Sequence, residues 1–182
     1  MKTESNVMYV LRLALTLLVI TSVVAAVLAG VNSITKPVID QLTAQKTQEA
    51  IQAVLPGGGE EVDFAASSAI VSKVYQGENG YAVEVTPGGF DNTITMMVGV
   101  DKAGSVLGIS VISHTETAGL GAVAAAGTPA GEAFRNEFVG ASGSVSVTKD
   151  GGEVEAITGA TITSRAVCDG VNAALKCAAT LG

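Results

Sequence analysis

The chain has 182 residues, with 17 acidic and 10 basic side chains, one His, two Cys and no Trp. Its mean hydropathy is positive, because residues 13–35 form one uncharged run, long enough at about 1.5 Å per residue to cross a hydrocarbon core of about 30 Å. From Leu13 onward eight Lys/Arg face sixteen Asp/Glu, a formal charge of −8 without any basic cluster, and this excludes a nucleic-acid-binding surface.

The uncharged run follows Met8-Tyr9-Val10-Leu11-Arg12, and its polar side chains are mainly hydroxyls, which bond back to helix carbonyls. It reads as a single transmembrane helix. The competing reading is a cleaved secretory signal, with Lys2 and Arg12 as its basic start and Val27-Leu28-Ala29 as small residues for a peptidase. The run is longer than the roughly 7–15 residues of a signal core, and no Cys follows it to accept lipid, which favours an uncleaved anchor. Lys2 and Arg12 on one flank nearly balance Lys36 and Lys46 on the other, so the α-amino group tips the reading towards residues 1–12 in the cytoplasm and an exported C-terminal part.

Beyond the run, Pro37 stands where a first helical turn tolerates it. Val38, Ile39, Leu42, Ile51, Val54 and Leu55 then recur at helical spacing until Pro56-Gly57-Gly58-Gly59, so residues 36–60 read as a helical stalk. Strands are expected at residues 69–75, 81–86, 93–101 and 106–113, with 77–80 and 102–104 as hairpin loops, which makes an antiparallel meander. An alanine run at 122–126 lies in a glycine-bounded loop, 130–138 reads as a helix, and 144–148 and 154–157 read as further strands. A final helix is expected over 164–181, with Val167, Val171, Ala174, Leu175 and Ala178 on one side. Cys168 and Cys177 stand nine residues apart on it, hence on opposite faces, and read as two isolated buried thiols. The fold class is α+β, with residues 61–182 as one domain.

Two segments stand out chemically. At 155–164 (EAITGATITS) a strand passes through a small, hydroxyl-rich turn into a helix N-terminus, where free amides and the helix dipole favour a phosphate and Gly159 and Ala160 leave the backbone open. The competing reading is capping by Thr158, Thr161, Thr163 or Ser164. At 113–121 (SHTETAGLG) charge and hydroxyls precede a glycine-flanked Leu120, a loop able to approach a flat ligand closely, or simply a turn leaving an edge strand. His114, the single histidine, excludes a metal site of several imidazoles and reads as a surface residue. A serine hydrolase using Ser164, His114 and Glu116 is disfavoured, since Gly-x-Ser-x-Gly is absent.

HTETAGLG at 114–121 with ITGATITSRAV at 157–167, behind an anchor ending VNSITKPVI at 31–39, resembles the G subunit of the Rnf electron-transport complex. The C subunit of the sodium-pumping NADH:quinone reductase is similar but generally longer. The resemblance implies an antiparallel-sheet FMN-binding domain with flanking helices and a covalent FMN, joined through its phosphate to Thr161. It further implies that Thr158, Gly159, Ala160 and Thr163 shape the phosphate end, and that Glu116, Thr117, Gly119, Leu120 and Gly121 line the ring end. The partners implied are the other Rnf subunits and a flavin transferase that recognises an acid three positions before Thr158, here Glu155. The setting implied is a bacterial or archaeal inner membrane with the C-terminal domain extracytoplasmic, in a complex passing electrons between ferredoxin and NAD while moving sodium ions or protons. Family members often carry Pro where Ala118 stands, so this loop lacks one φ restraint. The scarcity of aromatics argues against a ring sandwiched between two of them. A redox-inactive assembly module, in which both motifs are only turns and caps, is the remaining alternative.

Overall fold

The computed structural model describes residues 3–64 and 68–181. The chain divides into two compact units, Met1–Ala44 and Gln45–Gly182. Helix α1 (Thr3–Val54) makes up the described part of the first unit and ends in the second. It is long and apolar enough to cross a membrane. Several of its hydroxyls bond back along the helix: Thr16, Thr21, Ser33, Thr35 and Thr43 each donate to the carbonyl four residues back, at 2.8–2.9 Å. The fresh helix start expected at Pro37 is not found, because Pro37 lies inside α1. The proline removes one bond, that to the Ser33 carbonyl, while helical residues continue on both sides.

Among the described residues of the second unit five strands follow in chain order: β1 (Glu60–Val62), β2 (Val71–Gln76), β3 (Gly80–Val85), β4 (Thr95–Asp101) and β5 (Val106–Ser113). Each pairs antiparallel with the next, giving the expected meander. The register makes the period-2 burial explicit: Val83 pairs with Val98 and points to one face, while Ala82 opposite Gly99 points to the other. On the first face Val83, Val85, Met96, Val98 and Val100 pack with helix α3 (Thr161–Leu181), whose Val167, Val171, Ala174, Leu175 and Ala178 are all buried as expected. On the second, Ala50, Ile51 and Val54 from the last turns of α1, with Leu55 just after it, pack against Tyr75, Ala82, Met97 and Ile112. Gly99 makes that approach feasible, since a Cβ there would run into the Val54 carbonyl. Residues 36–60, read as a stalk, therefore include a segment that forms part of the second unit's core.

Several elements differ from the expectation. β1 is short and mostly exposed, and its two glutamates carry no strand signal. The 122–126 loop is a 3-10 turn, Gly121–Ala125. Residues 144–148 and 154–157 are not strands; they meet only in a parallel bridge between Val147 and Val154, with a 3-10 turn at Thr148–Asp150. Val145, Val147 and Val154 are buried, so their apolar character reflects anchoring of a loop rather than a ladder. Helix α2 (Pro129–Asn136) occupies the expected place, capped by Thr128 Oγ1, which accepts from Gly131 N at 3.3 Å. Its Phe134 meets Phe138 edge to face, 5.4 Å between centroids. Finally, α3 starts at Thr161, three residues before the expected Ser164.

Candidate functional site

β5 ends at Ser113 and the chain turns away from the sheet through 114–120. Glu116 is buried there, and its carboxylate ties three segments together. Oε1 accepts from the amide of Phe90 at 2.8 Å, in the turn between β3 and β4, and Oε2 accepts from the hydroxyl of Thr163 at 2.5 Å, in the first turn of α3. Such charge-assisted bonds are short and strong. Gly121 lies under this carboxylate: a Cβ there would collide with Glu116 Oε2, so only glycine lets the loop close.

The turn before α3 is built by Ser164. Its fully buried hydroxyl donates to the Ala160 carbonyl and accepts from the Ile157 amide, both at 3.0 Å. Gly159 adopts φ +76°, and a Cβ there would stand 2.9 Å from the Leu120 side chain, so the two motifs pack backbone against side chain. None of the four candidate hydroxyls caps the helix in the ordinary way. The residue before Thr161 is Ala160, whose side chain offers no acceptor, and the first amides of any helix have no intrahelical partner. Ser164 instead holds the turn from inside the helix.

The two motifs meet in one cavity of about 320 Å³, lined by Phe90, Glu116, Thr117, Leu120, Gly121, Lys149, Gly159, Ala160, Thr161, Ile162 and Thr163. Of the residues singled out in the sequence, Glu116, Thr117, Leu120 and Gly121 line it from the first motif, and Gly159, Ala160, Thr161 and Thr163 from the second. Gly119 and Thr158 do not; they border a different depression with Glu155, Ile157 and Phe134. Thr163, though it lines the cavity, is 1 % exposed and spends its hydroxyl proton on Glu116. Thr161 begins the helix, and its Oγ1 accepts from Lys149 Nζ at 3.1 Å.

His114 belongs to another place. It is half-buried rather than on the surface, beside Lys46, Glu49 and Ala50, and its Nδ1 is buried with no hydrogen-bond partner. With His114 in a separate cavity and the Ser164 hydroxyl sealed within its own turn, the hydrolase constellation does not exist. Cys168 and Cys177 are both buried without a disulfide between them, and burial pushes the Cys168 thiol up to about 12.

Phe90 and Lys149 lie outside both motifs, and Ile162 lies within the second without having been singled out as a site residue. Phe90 and Ile162, with Leu120, are large apolar side chains left exposed around the cavity, at 68 %, 49 % and 43 %. Among the described residues Phe90 is the single aromatic in the lining, in keeping with a site that does not sandwich its ligand between rings. Lys149 stands on the Thr148–Asp150 turn, where Arg165 of α3 forms a two-pronged ion pair with Asp150 (Nε–Oδ2 and Nη2–Oδ1, both 2.7 Å). That pairing holds the Asp150 carboxyl below the usual carboxylate range.

Residues 89–176 match the family described as FMN-binding domain, a stretch that contains every residue lining this cavity. The chain is 34% identical over 190 residues to the G subunit of the Na(+)-translocating ferredoxin:NAD(+) oxidoreductase complex of Acetobacterium woodii, covering 92% of this chain and 90% of that protein. It is 34% identical to the G subunit of the ion-translocating oxidoreductase complex of Methanosarcina acetivorans (90% and 92% covered) and 31% identical to that of Cronobacter sakazakii (91% and 88%). With relatives this similar end to end, the chain belongs to the family of G subunits of ion-translocating (Rnf) oxidoreductase complexes, and the cavity lies within its FMN-binding domain.

Proposed function

We propose that this protein is the electron-relaying G subunit of a membrane-bound ferredoxin:NAD oxidoreductase complex, with an FMN attached through its phosphate to Thr161. The observation that carries the reading is the position of the Thr161 hydroxyl: first residue of α3, on the cavity wall, in contact with a lysine ammonium. The residues fit a phosphate monoanion. First-turn amides and the positive end of the helix dipole favour negative charge, and Gly159 and Ala160 leave the backbone accessible. The remaining cavity, with Phe90, Leu120 and Ile162 exposed around it, suits a flat, largely apolar ring. When bound, FMN supplies the redox chemistry, and the chain's own residues hold it in place and exclude water from one side.

In this reading α1 anchors the protein in the membrane through residues 13–35, with residues 1–12 cytoplasmic and the FMN-binding domain of residues 61–182 extracytoplasmic. Glu155, an exposed acid three positions before Thr158, serves as the carboxylate a flavin transferase recognises. Thr158 and Gly119, outside the cavity, act through the conformation of the two loops rather than by contact. Glu116 and Thr163 act as a latch between the loops.

Flavin fluorescence retained after denaturing electrophoresis of the wild-type chain, and lost in Thr161→Ala, is the expected result when the protein is made with a flavin transferase. No fluorescence on the wild type would leave the assembly-module reading in its place. Fluorescence on both proteins would move the attachment to another hydroxyl.

A further inference from the structure

Among the described residues, Lys149 is the single cationic one in the lining of the cavity, and Glu116 is the single anionic one. Arg165, the other cation close in the fold, has both its Nε and Nη2 committed to Asp150. Lys149 is also held from behind. Val147, two residues earlier, is fully buried, Asp150 beside it is clamped to α3, and Gly151 closes the turn at φ +84°. Gly152 packs so closely under Ser146 that a Cβ would strike its carbonyl. The backbone that carries Lys149 is thus fixed to the helix that carries Thr161, and the ammonium reaches Oγ1 at 3.1 Å.

We propose that Lys149 is the positioning residue of the attached flavin: it pairs with the phosphodiester on Thr161 and holds the cofactor in the cavity. The inference rests on the covalent-flavin reading above. A phosphodiester brings one negative charge into a lining that already contains the Glu116 carboxylate, and only Lys149 offsets it with a full charge. The helix dipole adds about half a charge at its N-terminus. Attachment requires the Thr161 hydroxyl and is read separately from docking. Docking of the ring in the cavity weakens without Lys149, because a tethered cofactor that loses its counter-charge spends more of its time out in solvent.

The full-length protein, purified in detergent after production with a flavin transferase, tests this in wild type, Lys149→Met and Lys149→Arg. In-gel fluorescence after denaturation reads attachment; visible circular dichroism and fluorescence anisotropy of the native protein read docking. Each docking signal is divided by the flavin attached in that variant, so a difference in attachment does not enter the comparison. We expect a docked population about two- to five-fold lower in Lys149→Met, as for a solvent-accessible charge pair, and near-complete recovery in Lys149→Arg. High salt should reproduce the Lys149→Met signal in the wild type. Unchanged dichroism and anisotropy in Lys149→Met would overturn the inference, as would an equal loss of docking in the Met and Arg variants. A wild type without flavin would instead overturn the reading on which it rests.

Discussion

The Glu116 carboxylate joins the turn before β4, the loop after β5 and the first turn of α3, so its removal should loosen the cavity while sparing the sheet. In Glu116→Ala the Phe90 amide at 2.8 Å and the Thr163 hydroxyl at 2.5 Å lose their acceptor. Each such bond to a charged group is worth roughly 1.5–3 kcal/mol. The third contact, from Asp91 N at 3.5 Å, is at the limit of a hydrogen bond and adds little. Water enters from the cavity and recovers part of the loss, which leaves an expected destabilisation of about 3 kcal/mol. Glu116→Gln retains one acceptor for Phe90 and turns its amide towards Thr163, whose hydroxyl reverses to accept, so about 1 kcal/mol is expected. A double-mutant cycle with Thr163→Val isolates the buried contact, with an expected coupling of about 1.5–2.5 kcal/mol. The chain has no Trp and three Tyr, of which Tyr75 and Tyr81 are buried in the sheet, so near-ultraviolet dichroism during urea unfolding in detergent follows the domain rather than α1. A coupling below about 0.5 kcal/mol would refute the latch.

Gly99→Ala pushes a methyl group into the Val54 carbonyl and should cost about 1–3 kcal/mol, lowering the domain's melting temperature by about 3–10 °C; an unchanged value would mean that the end of α1 does not pack on β4. Cys168, pushed up to about 12 by burial, holds about one part in ten thousand as thiolate at pH 8, so iodoacetamide should label it only after unfolding, and rapid labelling of the native protein would contradict the packing of α3. Asp150 is held below its ordinary range by Arg165, so this pair stabilises the fold above about pH 4 and its contribution disappears as acid titrates the carboxylate. Asp150→Asn should therefore flatten the fall of melting temperature below pH 4; an acid limb identical to wild type would show that the clamp is not formed in solution.

The strands β2 to β5 were legible because apolar residues alternate between turn residues, and α3 because its apolar face repeats at helical spacing. Residues 144–148 and 154–157 misled for a definable reason: Val145, Val147 and Val154 are buried one by one beneath a loop, and burial without a partner strand has the same local pattern as burial within one. The start of α3 moved to Thr161 because Ser164, which resembles a cap in sequence, points back to Ile157 and Ala160 and closes the turn from within. At the site, the two glycine-containing motifs were visible, and their meeting in one cavity was not derivable from their spacing. Phe90 and Lys149 carried no local signal at all. Phe90 reaches the cavity because its amide is held by a glutamate 26 positions later, and Lys149 because an ion pair 15 positions long pins its turn to α3. Thr163 shows the opposite limit: its type suited a phosphate ligand, while its geometry makes it the partner of Glu116.

The strand order simply follows the chain, so every ladder closes between neighbours and the sheet can assemble from short-range encounters. The latch between Glu116 and Thr163 spans 47 positions and draws on the chain's final helix. A nascent or partly unfolded molecule can therefore own a complete sheet and still lack any binding site. Occupancy of the cavity then serves as a certificate that the last helix has docked, a more demanding criterion of integrity than secondary-structure content.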